Sequence, residues 1–443
     1  GLEWSANNDG AVLNTSQAEL VQQVATCDRR VMLALAPAGS GKTTAMGVLT
    51  RAWQAAGGSI VGLAPQASAA HVLGEAIGAT ADTLDKLVHD ITTDTGRAVW
   101  DRQVRADTLV IIDEAGLAAT GNLDAAIGYT TGRGGRVLLV GDDRQRAAAG
   151  AGGAQRDIEA AHGAVSLTEV LRFTDPAEAQ VSLALRNGDP AAAAFYTDRG
   201  RLHPVAADEA ADHVYTAWAR DVAAGVESIM IAPTLEQVAE LNARARTDRI
   251  AASGEPVGRE LRLRSGETLS AGDVIVTKRN ARSLSLGGTD FVRNNDRWIV
   301  RHVHRDGSIT ATHHDRGVTR RLPAWYINAG HVRLGYATTA ASVQGLTVGR
   351  SGVRRGTAHA IIADGMTRNE GYPVLTRATD GTHAYVISTR RGDPHDVVRP
   401  ESLRPATAAE ALARIIATDG SAVSATTAAR RAHDPVGRLA PAA

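Results

Sequence analysis

The segment Ala36-Pro37-Ala38-Gly39-Ser40-Gly41-Lys42-Thr43-Thr44 restricts the fold more than any other stretch of the chain. It follows the apolar run RVMLALAP (30–37) and opens a stretch with helical spacing, TTAMGVLTRAWQAAG (43–57). A glycine-rich turn between a strand and a helix aims backbone N–H groups inward, and the helix N-terminus adds partial positive charge, so the place suits phosphate. Lys42 is then expected to hold the β- and γ-phosphates of ATP and Thr43 to ligate Mg²⁺, with Pro37, Ala38, Gly39, Ser40, Gly41 and Thr44 completing the cradle. The full pattern begins with glycine, where this chain has Ala36. Only three of the 48 basic residues are lysines (Lys42, Lys86 and Lys278), which makes a lysine here informative.

Further on, TLVIIDEAG (108–116) places Asp113 and Glu114 after four apolar residues, at the carboxyl end of an expected buried strand. Doubly wound sheets carry their ligand groups there. Asp113 suits a Mg²⁺ held through water, and Glu114 suits orienting and deprotonating an attacking water. SIVGLAP (59–65) and RVLLVGDD (136–143) read as further buried parallel strands, and ASAAHVLGEAIG (67–78) as a helix between them. The expected class is therefore α/β, with a first ATPase domain over 1–168. A second α/β unit is expected over 169–255 and 331–402.

Between 256 and 330 the texture changes to short β-like runs, DVIVTKR, DRWIVRHV, SITATHHD and VTRRLPAWYI, separated by Gly, Asn and Asp turns. This predicts a small β-barrel inserted into the second unit. Trp298, Trp325 and Tyr326 fall there, with core packing as the expected use. Residues 403–443 are Ala-rich with helical spacing to Ile416 and then low in complexity. The histidines of RHVHRDG (301–307) and THHD (312–315) superficially offer metal ligands, but alternation on neighbouring strands brings histidines together without a metal.

Lys+Arg and Asp+Glu both number 48, so no overall basicity points to nucleic acid, and any such contact must be local. One cysteine, Cys27, excludes an internal disulfide and a cysteine-based metal site. No apolar run approaches the roughly 20 residues of a membrane span. These features predict a soluble cytoplasmic protein with no membrane insertion, and the chain reads as a fragment of something longer.

Several elements then resemble superfamily 1 helicases. LLVGDDRQ (138–145) resembles motif III, which makes Gln145 the sensor of the γ-phosphate. LTEVLRF (167–173) resembles motif IV, which gives Arg172 a place at the phosphates, and LNTSQAELV (13–21) matches the adenine-reading glutamine at Gln17. YATTAASVQGLTV (336–348) resembles motif V, with Gln344 and Gly345 at its Q-G pair. The barrel ahead of motif V is similar to the SH3-like domain of RecD-type helicases, which move 5′ to 3′. The run 357–387 resembles the motif VI region of MobF-type conjugative relaxases, whose arginine finger falls on Arg377, with STRR (388–391) as the alternative. Family members carry a second arginine where this chain has Thr379, and a basic or histidine residue where it has Ala341. Those departures touch the coupling of hydrolysis to DNA movement.

The resemblance implies two RecA-like motor domains and contacts to single-stranded DNA from Pro65, Thr83, Thr234, Thr338, Thr339 and Gln344. It further implies a nuclease-type relaxase domain upstream in the parent protein, absent here, and a conjugative secretion machinery as partner. The short span between Thr83 and Asp113 leaves little room for a strand-separating hairpin, so translocation is expected to exceed unwinding. A degenerate helicase that only binds single strands, and a RecD-type chromosomal repair helicase, are the alternatives.

Overall fold

The computed structural model describes residues 12–145, 153–254, 256–287, 290–343, 345–389, 407–421 and 424–433. The chain divides into two units, Gly1–Arg172 with Asp419–Ala443, and Phe173–Thr418.

In unit 1, α1 (Thr15–Thr26) precedes β1 (Val31–Leu35), α2 (Lys42–Ala55), β2 (Ser59–Ala64), α3 (Ala67–Ile77), β3 (Ala81–Thr83) and α4 (Leu84–Thr93). There follow β4 (Thr108–Ile112), α5 (Thr120–Gly132), β5 (Arg136–Gly141), α6 (Ala154–His162) and β6 (Val165–Ser166). The strands make one parallel sheet in the order β3-β2-β4-β5-β1-β6. Alternate residues of each strand enter different cores. Leu33, Val110, Ile112 and Leu139 pack on one face, and Ala34, Leu109, Ile111 and Leu138 on the other. With both faces covered, the strands must be apolar throughout, which is why they read as continuous hydrophobic runs. The carboxyl ends of β1, β4 and β5 deliver the phosphate loop, the Asp113-Glu114 pair and the Asp142–Gln145 turn to one edge of the sheet.

Unit 2 opens with α7 (Pro176–Asn187), β7 (Leu202–Ala206), α8 (Ala210–Ala223), β8 (Glu227–Ala232) and α9 (Leu235–Ser253). An antiparallel stretch follows: β9 (Val274–Thr277), β10 (Arg297–Val303), β11 (Ile309–His313), β12 (Thr319–Leu322) and β13 (Val332–Leu334). The parallel pattern resumes with β14 (Ala337–Thr339), β15 (Gly356–Ile362), α10 (Arg368–Leu375), β16 (Gly381–Thr389) and α11 (Ala408–Ala417). Of the stretch 403–443, α11 belongs with unit 2, whereas α12 (Ala425–His433) packs with unit 1.

The parallel sheet of unit 2 runs β14-β8-β15-β16-β7, and the antiparallel one β12-β11-β10-β9-β13. One buried cluster joins them, with Met230 from the first, Ile275 and Trp298 from the second, and Trp218 of α8. Asn242 of α9 latches the return: its amide donates to the Leu334 carbonyl (3.3 Å) and accepts from the N–H groups of Tyr336 (3.0 Å) and Ala337 (2.8 Å). Asp273, fully buried, accepts from the Tyr336 hydroxyl (2.8 Å) and the Arg246 (3.1 Å) and Arg249 (2.9 Å) side chains.

The run VTRRLPAWYI departs from its expected strand. Pro323 lacks the N–H that a ladder needs, so β12 stops at Leu322 and a short helix, Ala324–Asn328, follows. In that helix Tyr326 is buried but Trp325 is 56% exposed, so core packing holds for Trp298 and Tyr326 and is corrected for Trp325.

Candidate functional site

The phosphate loop is shaped by two glycines in the left-handed region, Gly39 (φ +81°) and Gly41 (φ +72°), a conformation that a side chain disfavours. Their neighbours also demand glycine. A Cβ on Gly39 would meet the Arg172 Cβ at 2.5 Å, and one on Gly41 would strike the Gln17 amide. The Leu171 N–H donates to the Gly39 carbonyl (2.7 Å), which seats Arg172 over the loop within unit 1.

Gln17 is buried against the same loop. Its Oε1 accepts from the Asn14 N–H (3.0 Å), and the Asn14 side chain accepts from the Gln17 N–H (2.9 Å), a reciprocal cap that starts α1. Its Nε2 donates to the carbonyls of Ser40 (3.1 Å) and Gly41 (3.2 Å). One amide therefore ties the helix start to the phosphate loop. The spacing of Asn14 and Gln17 was the sequence signal for this cap, which the motif match alone does not give.

Lys42 lies in the first turn of α2, and its ammonium meets Asp113 Oδ1 at 2.9 Å and also pairs with Glu114. Burial opposes its charge, but the two carboxylates outweigh burial and hold its pKa above the ordinary lysine value. Asp113 is shifted upward, because burial and the adjacent Glu114 together exceed the pull of Lys42. Glu114 has φ +52°, a strained conformation for a residue with a side chain. Its N–H donates to Asp113 Oδ1 (2.8 Å). The Ser40 hydroxyl, in a residue 1% exposed, has no hydrogen-bond partner among the described residues. A buried unsatisfied donor in a left-handed loop, a lysine held only by exchangeable carboxylates, and a hydroxyl at Thr43 fit a magnesium-bound nucleoside triphosphate.

Gln145 is held within its own turn, its Nε2 donating to Asp142 Oδ2 (3.0 Å). Pro65 and Thr83 follow neighbouring strand ends, with Ala64 and Thr83 in register on β2 and β3. Thr83 caps α4 by accepting from the Lys86 N–H (3.3 Å). In unit 2, Thr338 and Thr339 on β14 lie in register with Ile231 and Ala232 of β8, and Thr234, exposed, caps α9 just beyond. The Thr339 hydroxyl accepts from the Ser342 N–H (3.2 Å). These three threonines thus share one edge of the unit 2 sheet. Gly345 adopts φ +81°, while Gln344, Arg390 and Arg391 lie outside the described residues.

Arg377 is 2% exposed. Its guanidinium donates to the carbonyls of Pro373 and Leu346 (3.4 Å) and to the Thr376 hydroxyl (3.3 Å), all within unit 2. Thr379 is buried too, its hydroxyl donating to Asp380 Oδ2 (2.9 Å). His302 and His304 make an edge-to-face ring contact, and His313 packs on Trp298. Among the described residues, the one group with metal-like spacing is Glu227, His314 and Asp315, and Arg354 already pairs with both of its carboxylates.

An AAA domain family matches residues 12–207. The conjugal transfer protein TraA of Agrobacterium fabrum is 28% identical over 364 residues, which is 80% of this chain and 31% of that protein. A probable conjugal transfer protein TraA of Sinorhizobium fredii is likewise 28% identical, over 76% of this chain and 30% of its own length. Among solved structures, the Pif1 helicase of Candida albicans superposes with a TM-score of 0.52 at 13% identity, covering 86% of this chain and 95% of that one. The chain is similar in sequence to TraA conjugal transfer proteins and in fold to a Pif1 helicase. A Bacteroides Pif1 structure bound to ssDNA gives the same TM-score at 17% identity, covering 84% of this chain and 92% of its own. Likeness at these identities establishes the fold, an α/β P-loop core. The chain spans about 31% of the Agrobacterium relative it matches. No helix among its described residues is long and apolar enough to cross a membrane.

Proposed function

We propose that the chain is the motor part of a conjugative relaxase-helicase, an ATP-dependent translocase on single-stranded DNA and a helicase of 5′-to-3′ polarity. The observation that carries this reading is the Lys42–Asp113–Glu114 cluster, set beside a left-handed glycine loop at the carboxyl edge of a parallel sheet. Bound MgATP would supply the transferable γ-phosphoryl group. Lys42 and the loop N–H groups would hold its phosphates, Thr43 and Asp113 its metal, and Gln17 its adenine. Glu114 would take the proton of the attacking water, Gln145 would sense the γ-phosphate, and Arg172 and Arg377 would offset its charge.

In this reading both units are RecA-like motor domains, and residues 256–330 form an SH3-like barrel. Pro65, Thr83, Thr234, Thr338, Thr339 and Gln344 make the strand track, with Gly345 giving the turn after Gln344. The likeness to TraA proteins supports a role in conjugation, with a relaxase domain in the same parent protein, a secretion machinery as partner and the bacterial cytoplasm as the place of action. ATP turnover measured with and without a single-stranded oligonucleotide is the test, and a several-fold rise is the expected result. No turnover in either condition rejects it.

The burial of Arg377 and Thr379 favours a second reading, a helicase fold that binds single strands without productive hydrolysis. Oligonucleotide binding with no turnover would select it.

A further inference from the structure

Gln155, in the first turn of α6, is 4% exposed, and neither end of its amide has a hydrogen-bond partner among the described residues. A buried amide left unsatisfied is costly, so its place here calls for a reason. The side chain lies against two loops. A Cβ on Gly116 would come within 2.9 Å of its Oε1, and one on Gly141 within 3.2 Å of both amide heavy atoms. Neither glycine is among those with positive φ, so it is the close approach of Gln155, and not backbone conformation, that crowds a side chain at both positions. Gly116 follows Glu114 by two residues, and Gly141 directly precedes Asp142, the partner of Gln145.

Beside the amide opens a cavity of about 30 Å³, with Asp142, Asp143, Gln145 and Arg156 among its polar lining and Ala118 and Leu123 among its apolar lining. That volume admits a single water with enough polar partners to hold it. The next residue, Arg156, donates to the Asp143 carbonyl from Nε (3.2 Å) and Nη2 (2.7 Å), and pairs with Asp419 (3.6 Å). The start of α6 thus grips the Asp142–Gln145 turn from one side while Gln155 touches the Glu114 loop on the other.

We propose that Gln155 is a positioning residue for ATP hydrolysis. Through one ordered water its amide links the loop after Glu114 to the turn carrying Gln145, so the water-activating carboxylate and the γ-phosphate sensor keep one spacing. This rests on the hydrolytic reading above. Gln155→Met preserves length and approximate volume while deleting the amide. With ssDNA present, kcat should fall by about tenfold or more while KM for ATP stays within about twofold, the pattern of a contact that matters only during phosphoryl transfer. Tm should be unchanged or higher, because an unsatisfied amide has left the interior. Gln155→Ala gives the same kinetic split should the methionine overpack. An unchanged kcat in folded variants, a matching rise in KM, or loss of folding in both overturns the inference while wild-type turnover leaves the hydrolytic reading intact. An inactive wild type overturns both.

Discussion

Replacing Lys42 by alanine would remove more than the phosphate contact proposed for it. Without nucleotide its ammonium is the cation facing Asp113 at 2.9 Å and Glu114, with side-chain exposures of 22% for the lysine and 11% for the aspartate. Deleting one partner of a buried pair costs about 3–5 kcal/mol, because the other charge is left desolvated. Residual exposure at Lys42 lowers this to about 2–3 kcal/mol. For a unit of this size each kcal/mol shifts Tm by about 2–4 °C, so the transition of unit 1 should fall by about 5–10 °C in nucleotide-free buffer. Lys42→Ala combined with Asp113→Asn should regain part of that loss, because one of the two carboxylates left without the lysine is neutralised. ATP turnover should vanish in both, while ssDNA affinity measured well below the lowered transition persists. A Lys42→Ala transition within about 1 °C of wild type, or a double variant no more stable than the single one, would refute the electrostatic account.

Glu114→Gln should retain nucleotide and lose turnover, since the amide keeps the shape but cannot take a proton; undiminished hydrolysis would remove Glu114 from the chemistry. Arg377→Ala should lower turnover more than ATP affinity if the arginine acts as a finger. Loss in Arg390→Ala instead, measured in parallel, would move the finger to the 388–391 run. Burial, with His359, His203 and Arg201 nearby and only partly countered by Asp221, pushes the His383 pKa from 6.5 to about 4. The unfolded chain then binds more protons between those values, so stability is unaffected above pH 6.5 and declines by up to about 3 kcal/mol as pH falls toward 4. His383→Asn should flatten that slope in a pH series of thermal melts, and an unaltered slope would place its cause elsewhere.

The phosphate loop and the four long strands of unit 1 were legible because a sheet covered on both faces must be apolar at every position. The edge residues were legible because the ends of those strands are where polar side chains first reappear. Trp325 was not, since Pro323 converts a two-residue period into a helical one within a single run. Gln155 gave no signal either. A lone glutamine in AQRDIEAAH reads as a solvated helix start, and its burial depends on Gly116 and Gly141, far away in sequence. The engagement of Arg377 by carbonyls of its own unit is equally invisible to motif matching, which assigns roles and not partners.

Unit 1 is discontinuous, its last part supplied by residues after 418. During synthesis, the whole of unit 2 must therefore leave the ribosome before Asp419 and Ser421 can reach Arg156. At typical elongation rates that interval is on the order of 10–50 s, long enough for unit 2 to fold alone. The nascent phosphate loop would spend this time beside an Asp142–Gln145 turn that lacks its final brace. A ribosome-stalled chain ending near residue 418 should accordingly be more open to proteolysis within 154–162 than the released protein.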